Sequence, residues 1–180
     1  PALTQNENEF VDAVLSGLDV FPAYYAHMGL ANALGPQDVD LEIPKPADPE
    51  SLRAAIDRGE WIVDLRSREV FSQGHIPGSV NFDLDGAFIN YLAWMMPWGT
   101  PLTLVGATTQ QVEAAMRELA RVGIATPKSQ AVGDPRFWMA DGELPAVIRR
   151  VDFDTVKTEW AASPDAIVMD ARQILEWENG

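Results

Sequence analysis

The stretch Ile62-Val63-Asp64-Leu65-Arg66-Ser67-Arg68-Glu69-Val70-Phe71-Ser72-Gln73-Gly74-His75-Ile76-Pro77-Gly78-Ser79-Val80-Asn81 decides how this chain is read. It opens on a short apolar run, Trp61 to Leu65, fit for a strand buried in a parallel sheet. Gly74 to Asn81 reads as a loop leading into the next strand. Part of the pattern returns near the end of the chain in Ile167-Val168-Met169-Asp170-Ala171-Arg172, followed by Trp177 and Gly180. Asp64, Arg66, Phe71 and Gly74 match Asp170, Arg172, Trp177 and Gly180 at one equal offset. A shared offset of domain length argues for a duplicated domain. The first copy runs on to Asn81 and the second stops at its glycine, so a fragment with a truncated second repeat is expected.

Working outward, strands and helices alternate after Trp61. Ala87 to Met95 reads as a helix ending before Pro97, and Leu102 to Val105 as another buried strand. Val112, Ala115, Met116, Leu119 and Ala120 share one helical face, stopped by Gly123. Gln130 to Val132 reads as a last strand and Arg136 to Met139 as a final short helix. This alternation implies an α/β fold with a central parallel sheet covered on both faces. Trp94, Met95, Met96 and Trp98 form an apolar cluster that is read as core in preference to a partner surface.

Upstream, Asp48 is placed to cap a helix, with Pro49 at its first position and Gly59 just past its end. The segment 41–49, with Pro44, Pro46 and Pro49, reads as an extended, semi-rigid linker. Residues 1–40 read as two short helices. The first carries Phe10, Val11, Val14, Leu15 and Leu18 at helical spacing, with Asn6 or Asn8 as its cap. The second starts near Pro22, carries Tyr24, Tyr25 and Met28, and ends at Gly35-Pro36. Helices this short and apolar cannot bury their faces alone. They are expected to expose apolar surface, Phe21 included, or to pack on the core or on another copy of the chain, a homo-oligomer contact.

Composition narrows the function. The 180 residues carry 13 Lys and Arg against 27 Asp and Glu, a formal charge of -14. Nucleic acid and anionic membrane would repel such a chain. No apolar run is long enough to span a bilayer, and a cytoplasmic location is the default expectation. There is no cysteine, so disulfides, thiolate metal ligands and thiol catalysis are excluded within these residues. His27 and His75 are the only histidines, which leaves no multi-histidine metal site. No metal and no cofactor are expected. His27, on an aromatic helix, reads as a packing or interface residue.

The segment Glu69 to Asn81, preceded by Asp64-x-Arg66, resembles the signature of rhodanese domains: an aromatic, Gly-His-Ile, Pro-Gly-small and Asn, spaced as in the family. The resemblance covers 48–147 and returns over 151–180. It implies the rhodanese-like fold for 50–147 and the start of a second such domain at 151–180. It also implies that Asp64, Arg66, Gly74, His75, Gly78 and Asn81 are structural, bracing a loop whose buried polar groups need partners. Rhodanese enzymes place a cysteine directly after the fourth strand, in a loop whose N–H groups and following helix point at the sulfur. Here that strand is Leu102-Thr103-Leu104-Val105, and Gly106 falls at the cysteine's place. The remaining vestigial loop is Gly106, Ala107, Thr108, Thr109, Gln110 and Gln111, in which Thr108 and Thr109 are also N-cap candidates. A hydroxyl such as that of Thr108 cannot carry a persulfide. No catalytic residue is therefore assigned, and the fragment is read as not an enzyme.

Residues 1–40, through Phe10-Val11, Gly17-Leu18, Phe21-Pro22, Tyr24-Tyr25, Met28, Asn32 and Gly35-Pro36, are similar to the end of a metallo-β-lactamase-fold domain. The relatives are glyoxalase-II-like and persulfide-dioxygenase-like proteins that carry rhodanese repeats. The resemblance implies a partner in cis, a metallo-β-lactamase-fold hydrolase or sulfur dioxygenase in sulfur or thioester metabolism. The domain read here would serve it as scaffold or regulatory module. The alternative is a module that binds an anion or persulfide with the emptied loop. On that geometry the N–H groups of Thr108 to Gln111 face a shallow pocket, and Gly106→Cys would give a thiol below its free pKa of about 8.5.

Overall fold

The structure, a computed structural model, describes residues 6–18, 22–35, 38–140, 142–163, 165–169, 172 and 174–178. Contacts divide the chain into two compact units, 1–148 and 149–180.

The first unit begins with α1 (Glu7–Ser16) and α2 (Tyr25–Leu34). Asn6 caps α1, its side-chain oxygen accepting from the Asn8 and Glu9 amides. α3 (Pro49–Asp57) starts where Asp48 Oδ1 accepts from the Ser51 amide at 2.7 Å, and Pro49 loses no bond in the first turn. Gly59, at φ 75°, turns the chain out of it. β1 (Trp61–Asp64), α4 (Arg68–Gln73), β2 (Val80–Asn81), α5 (Phe88–Met95), β3 (Leu102–Gly106), α6 (Thr109–Arg121) and β4 (Ser129–Val132) follow, then a 3₁₀ turn, Pro135–Trp138. The strands form one parallel sheet in the order β2-β1-β3-β4.

Alternation along β1 sends Ile62 to one face and Val63 to the other. On one side Val63, Leu65, Leu102 and Leu104 pack with Phe88, Leu92 and Met96 of α5 and its end, and with Val112, Ala115, Met116 and Leu119 of α6. On the other, Ile62, Val105 and Ala131 meet Leu52 and Ala55 of α3, Ile76 and Trp138. This is the rhodanese-like α/β architecture expected from the alternation of strands and helices, with both sheet faces covered.

Several details differ from the sequence reading. β3 runs one residue further, through Gly106, which pairs with Val132. It is the third strand in chain order. A single parallel bridge from Pro46 to Gln130 lies beyond β4, where the linker adds to the sheet edge without becoming a strand. Pro44 and Pro46 lack the N–H a longer ladder would use. α4 lies in a stretch whose polarity hid it; Ser67 caps it and Phe71 and Ser72 are its buried residues. The final helix is a 3₁₀ turn shifted one residue earlier, because Asp134 caps it and Pro135 sets its first position. In the aromatic cluster only Met96 is buried; Trp94, Met95 and Trp98 are exposed, because α5 turns Phe88, Leu92 and Ala93 inward instead.

The second unit holds α7 (Phe153–Ala162), capped by Asp152 Oδ1 on the Thr155 amide, and α8 (Ile174–Glu178). Arg149 pairs with Glu159, and the Arg172 guanidinium lies 5.5 Å from the Trp177 ring centre. Ile167, Val168 and Met169 form no strand and are 87, 61 and 83% exposed. Asp170 and Gly180 of the repeated motif lie outside the described residues, as do Phe21 and Pro36.

Amide hydrogen exchange should separate the units. In dilute solution the amides of Val63 and Leu104 should show the slowest exchange, and those of Ile167 to Met169 should exchange near the unprotected rate. Equal protection at both places would contradict this picture.

Candidate functional site

Two neighbouring loops hold the candidate residues. The first follows β1. Asp64 and Arg66, two residues apart at the strand's end, project to the same side. Both are buried, at 0 and 3% exposure. Arg66 Nε donates to Asp64 Oδ1 at 2.9 Å and Nη2 to Oδ2 at 2.6 Å, while the Arg66 amide donates to Oδ1 at 3.0 Å. Nη2 also donates to the Gly74 carbonyl at 2.8 Å, and the guanidinium lies 5.1 Å from the Trp138 ring centre. Asn81 Nδ2 donates to the carbonyls of Asp64 and Arg66, at 3.0 and 2.8 Å.

His75 lies beside this cluster. Its Nδ1 is 2.9 Å from the Phe71 carbonyl, which only accepts, so Nδ1 carries the proton. The ring stacks on Phe71 at 3.8 Å between centres, and its backbone exchanges two 2.9 Å bonds with Ala146. Gly78 sits apart against α3. Its φ is 88°, and a Cβ there would come 2.9 Å from Ile56 Cγ2, so a side chain is excluded twice over. Asp64, Arg66, Gly74 and Asn81 thus form one hydrogen-bonded unit, His75 packs against its α4 side, and Gly78 serves a different contact.

The second loop joins β3 to α6. Thr108 caps the helix, its Oγ1 accepting from the Gln111 amide at 3.3 Å; Thr109 is the first helical residue. The Ala107 amide donates to Gln111 Oε1 at 2.7 Å. A Cβ on Gly106 would lie 3.3 Å from both Gln111 Oε1 and the Thr108 carbonyl oxygen. The sequence pointed to a cradle of amides from Thr108 to Gln111; of these the Gln111 amide is bonded to Thr108, and oxygens face the place a side chain at 106 would take. The signal was Thr108-x-x-Gln111, a capping-box pattern. Here the glutamine reaches the amide one residue before the cap.

Asp134 is a further residue that the sequence reading passed over. It follows Gly133, whose amide donates to the Gly106 carbonyl at 3.1 Å. Its carboxylate binds the Arg136 side chain and amide, which hold its pKa at about 2, with a smaller contribution from Arg66. An Asp before Pro135 was the available cue. Among the described residues no group of acids and histidines is disposed to hold a metal. A large open groove of about 760 Å³ lies away from both loops, between α2 and the end of α6, with His27, Met28, Trp98 and Ile124 among its walls. There His27 stacks on Trp98 at 4.4 Å between ring centres.

Residues 48–132 match the family model described as a rhodanese-like domain. That segment is a rhodanese-like domain. A crystal structure of a metallo-beta-lactamase from Staphylococcus aureus subsp. aureus COL is similar at 25% identity and a TM-score of 0.58, over 73% of this chain and 37% of that one. EanB is similar in fold at 16% identity and a TM-score of 0.51, over 73% of this chain and 35% of that one. The rhodanese-like domain of the Alr3790 protein from Anabaena sp. aligns at 19% identity and a TM-score of 0.48, over 73% of this chain and 95% of that one. The chain therefore spans little more than a third of the staphylococcal protein. No curated protein matches the sequence.

Two measurements check the geometry of this domain. Arg66→Ala takes the guanidinium from a buried carboxylate and from the Gly74 carbonyl, leaving Asp64 only the backbone amide at 66, and should lower unfolding free energy in urea by about 3–5 kcal/mol. The Asp134 carboxylate should titrate near pH 2, seen by carbon NMR. Because its folded pKa is depressed, the stability it lends is present above the ordinary 3.8 and fades as pH falls through about 2.

Proposed function

We propose that this rhodanese-like domain is non-catalytic and serves as a scaffold or regulatory module of a metallo-β-lactamase-fold protein, a hydrolase or sulfur dioxygenase of sulfur or thioester metabolism in the cytoplasm. The observation that carries the first half is Gly106. It ends β3 at the point where the family's chemistry needs a thiolate, and the 180 residues contain no cysteine. Sulfur transfer through an enzyme persulfide requires a sulfur nucleophile, and none of the loop's hydroxyls or carboxamides supplies one.

The similarity to the staphylococcal metallo-beta-lactamase supports the second half. So does the surface of α1 and α2. Phe10, Val11, Val14 and Leu15 on α1 and Leu18 just after it are all exposed, as are Tyr25, Met28, Leu30 and Leu34 on α2. Apolar faces of this extent favour docking onto another protein surface. Before Lys45 the chain has seven acidic residues and no lysine or arginine. A second copy would meet this surface with the same charge, whereas a neighbouring domain rimmed by basic residues would complement it. The described helices include none long and apolar enough to cross a membrane.

The purified chain should form no thiocyanate from thiosulfate and cyanide above a buffer control. Turnover that rises in proportion to this chain and survives repurification would overturn the non-catalytic reading. In the parent protein, deleting 48–147 should weaken stability or assembly and leave the metal-centred chemistry measurable. Complete loss of chemistry with metal and fold retained would place a reacting group in this domain instead.

A further inference from the structure

We propose that Gln111 is the resident ligand of the β3–α6 loop, and that it closes the loop to anions independently of the missing cysteine. The reading goes beyond the non-catalytic role, because a loop can lack a nucleophile and still bind.

The argument starts from the donors. An anion held at the start of a helix is bound by free backbone N–H groups. Ala107 N–H gives its bond to Gln111 Oε1, at 2.7 Å, and Gln111 N–H gives its own to Thr108 Oγ1 and the Thr108 carbonyl. The Gly106 carbonyl faces away into the sheet, accepting from Gly133 N–H. The site a side chain on residue 106 would occupy is bounded by two oxygens, Gln111 Oε1 and the Thr108 carbonyl, each 3.3 Å from an ideal Cβ. Both carry partial negative charge. At position 106 the loop thus presents two acceptors where a thiolate would need donors, and the neighbouring Ala107 amide is already engaged.

Neighbouring charge does not offset this. Residues 102–112 include no ionisable side chain. On the adjoining turn Asp134 and Arg136 are paired with each other, at 2.7 Å. The backbone at Gly106 is no obstacle, since its φ is outside the left-handed region. Gly106→Cys alone should therefore fold, but with its thiol set against the carboxamide oxygen.

The test uses the 180-residue chain. Cysteine is introduced by Gly106→Cys alone, with Gln111→Ala, and with Gln111→Met, which fills the same space without an oxygen acceptor. Thiol pKa is read from the pH dependence of alkylation, and folding from the thermal transition. The single variant should titrate at or above about 8.5, the free value. Both double variants should titrate at least one pH unit lower, a tenfold gain in thiolate at neutral pH. In parallel, thiosulfate is titrated into the cysteine-free chain and its Gln111→Ala variant, following the Ala107, Thr109 and Gln110 amides by NMR. Saturable shifts are expected only in the variant. A single-variant pKa clearly below the free value, equal pKa values with and without Gln111, or saturable thiosulfate binding by the unaltered chain would each overturn the proposal. Should Gln111→Ala lower the thermal transition sharply, the Gln111→Met pair decides, because it keeps the packing.

Discussion

The buried ion pair of Asp64 and Arg66 is the interaction on which the rest of the domain depends. Taking two charges out of water costs several kcal/mol per ion, and the pair repays this only with good geometry and full hydrogen bonding. Here the guanidinium grips the carboxylate through two nitrogens and keeps a further bond for the Gly74 carbonyl. That places the end of β1 and the end of α4 at one fixed separation. Asn81 then ties β2 to the same backbone, and Trp138 covers the guanidinium from the 3₁₀ turn. The ends of β1 and α4, β2 and the 3₁₀ turn thus converge on this one pair.

The loop after β3 keeps its strand-loop-helix form with glycine at position 106. Packing of Val105, Val112, Ala115 and Met116 fixes the strand and helix on either side, and none of these residues depends on what stands at position 106. The helix still has N-terminal amides to satisfy. Thr108 satisfies one and the Gln111 side chain takes the Ala107 amide just before it. The same side chain also borders the space where a substituent at 106 would project. The same N-terminal geometry that favours an anion when empty favours a neutral oxygen from the chain itself when one is within reach.

The flanking segments follow a different logic. α1 is capped by Asn6 and α2 ends at Gly35, yet neither helix buries a residue. Their apolar stripes are sequence signals that the described residues leave largely exposed. The motif in the second unit makes the same point from the other side. Ile167-Val168-Met169 has an apolar composition like that of Ile62-Val63, but among the described residues it pairs with no strand, and it remains exposed. Strand formation is a property of the pair and not of the segment.

The sequence by itself determined the elements whose physics is local. Asp48, Pro49 and Gly59 delimit α3 because capping, a first-turn proline and a left-handed glycine act within a few residues. The face Val112-Ala115-Met116-Leu119 marks α6 because helical periodicity is written in the spacing. Asp64-x-Arg66 through Asn81 carried the resemblance to the family, and the sequence alone shows that these residues hold no cysteine. What only the tertiary structure decided concerns groups whose partners lie elsewhere. Arg66 finds Gly74 and Trp138, Gly78 makes room for Ile56, and Trp94 and Trp98 turn outward because α5 offers the core its opposite face. Gln111 belongs here too: the spacing announced a cap, but whether its oxygen met the Thr108 amide or that of Ala107 depended on the loop's path from β3. A hydrogen bond discriminates between such neighbours over less than the length of one residue, and no pattern of residue types carries that distance.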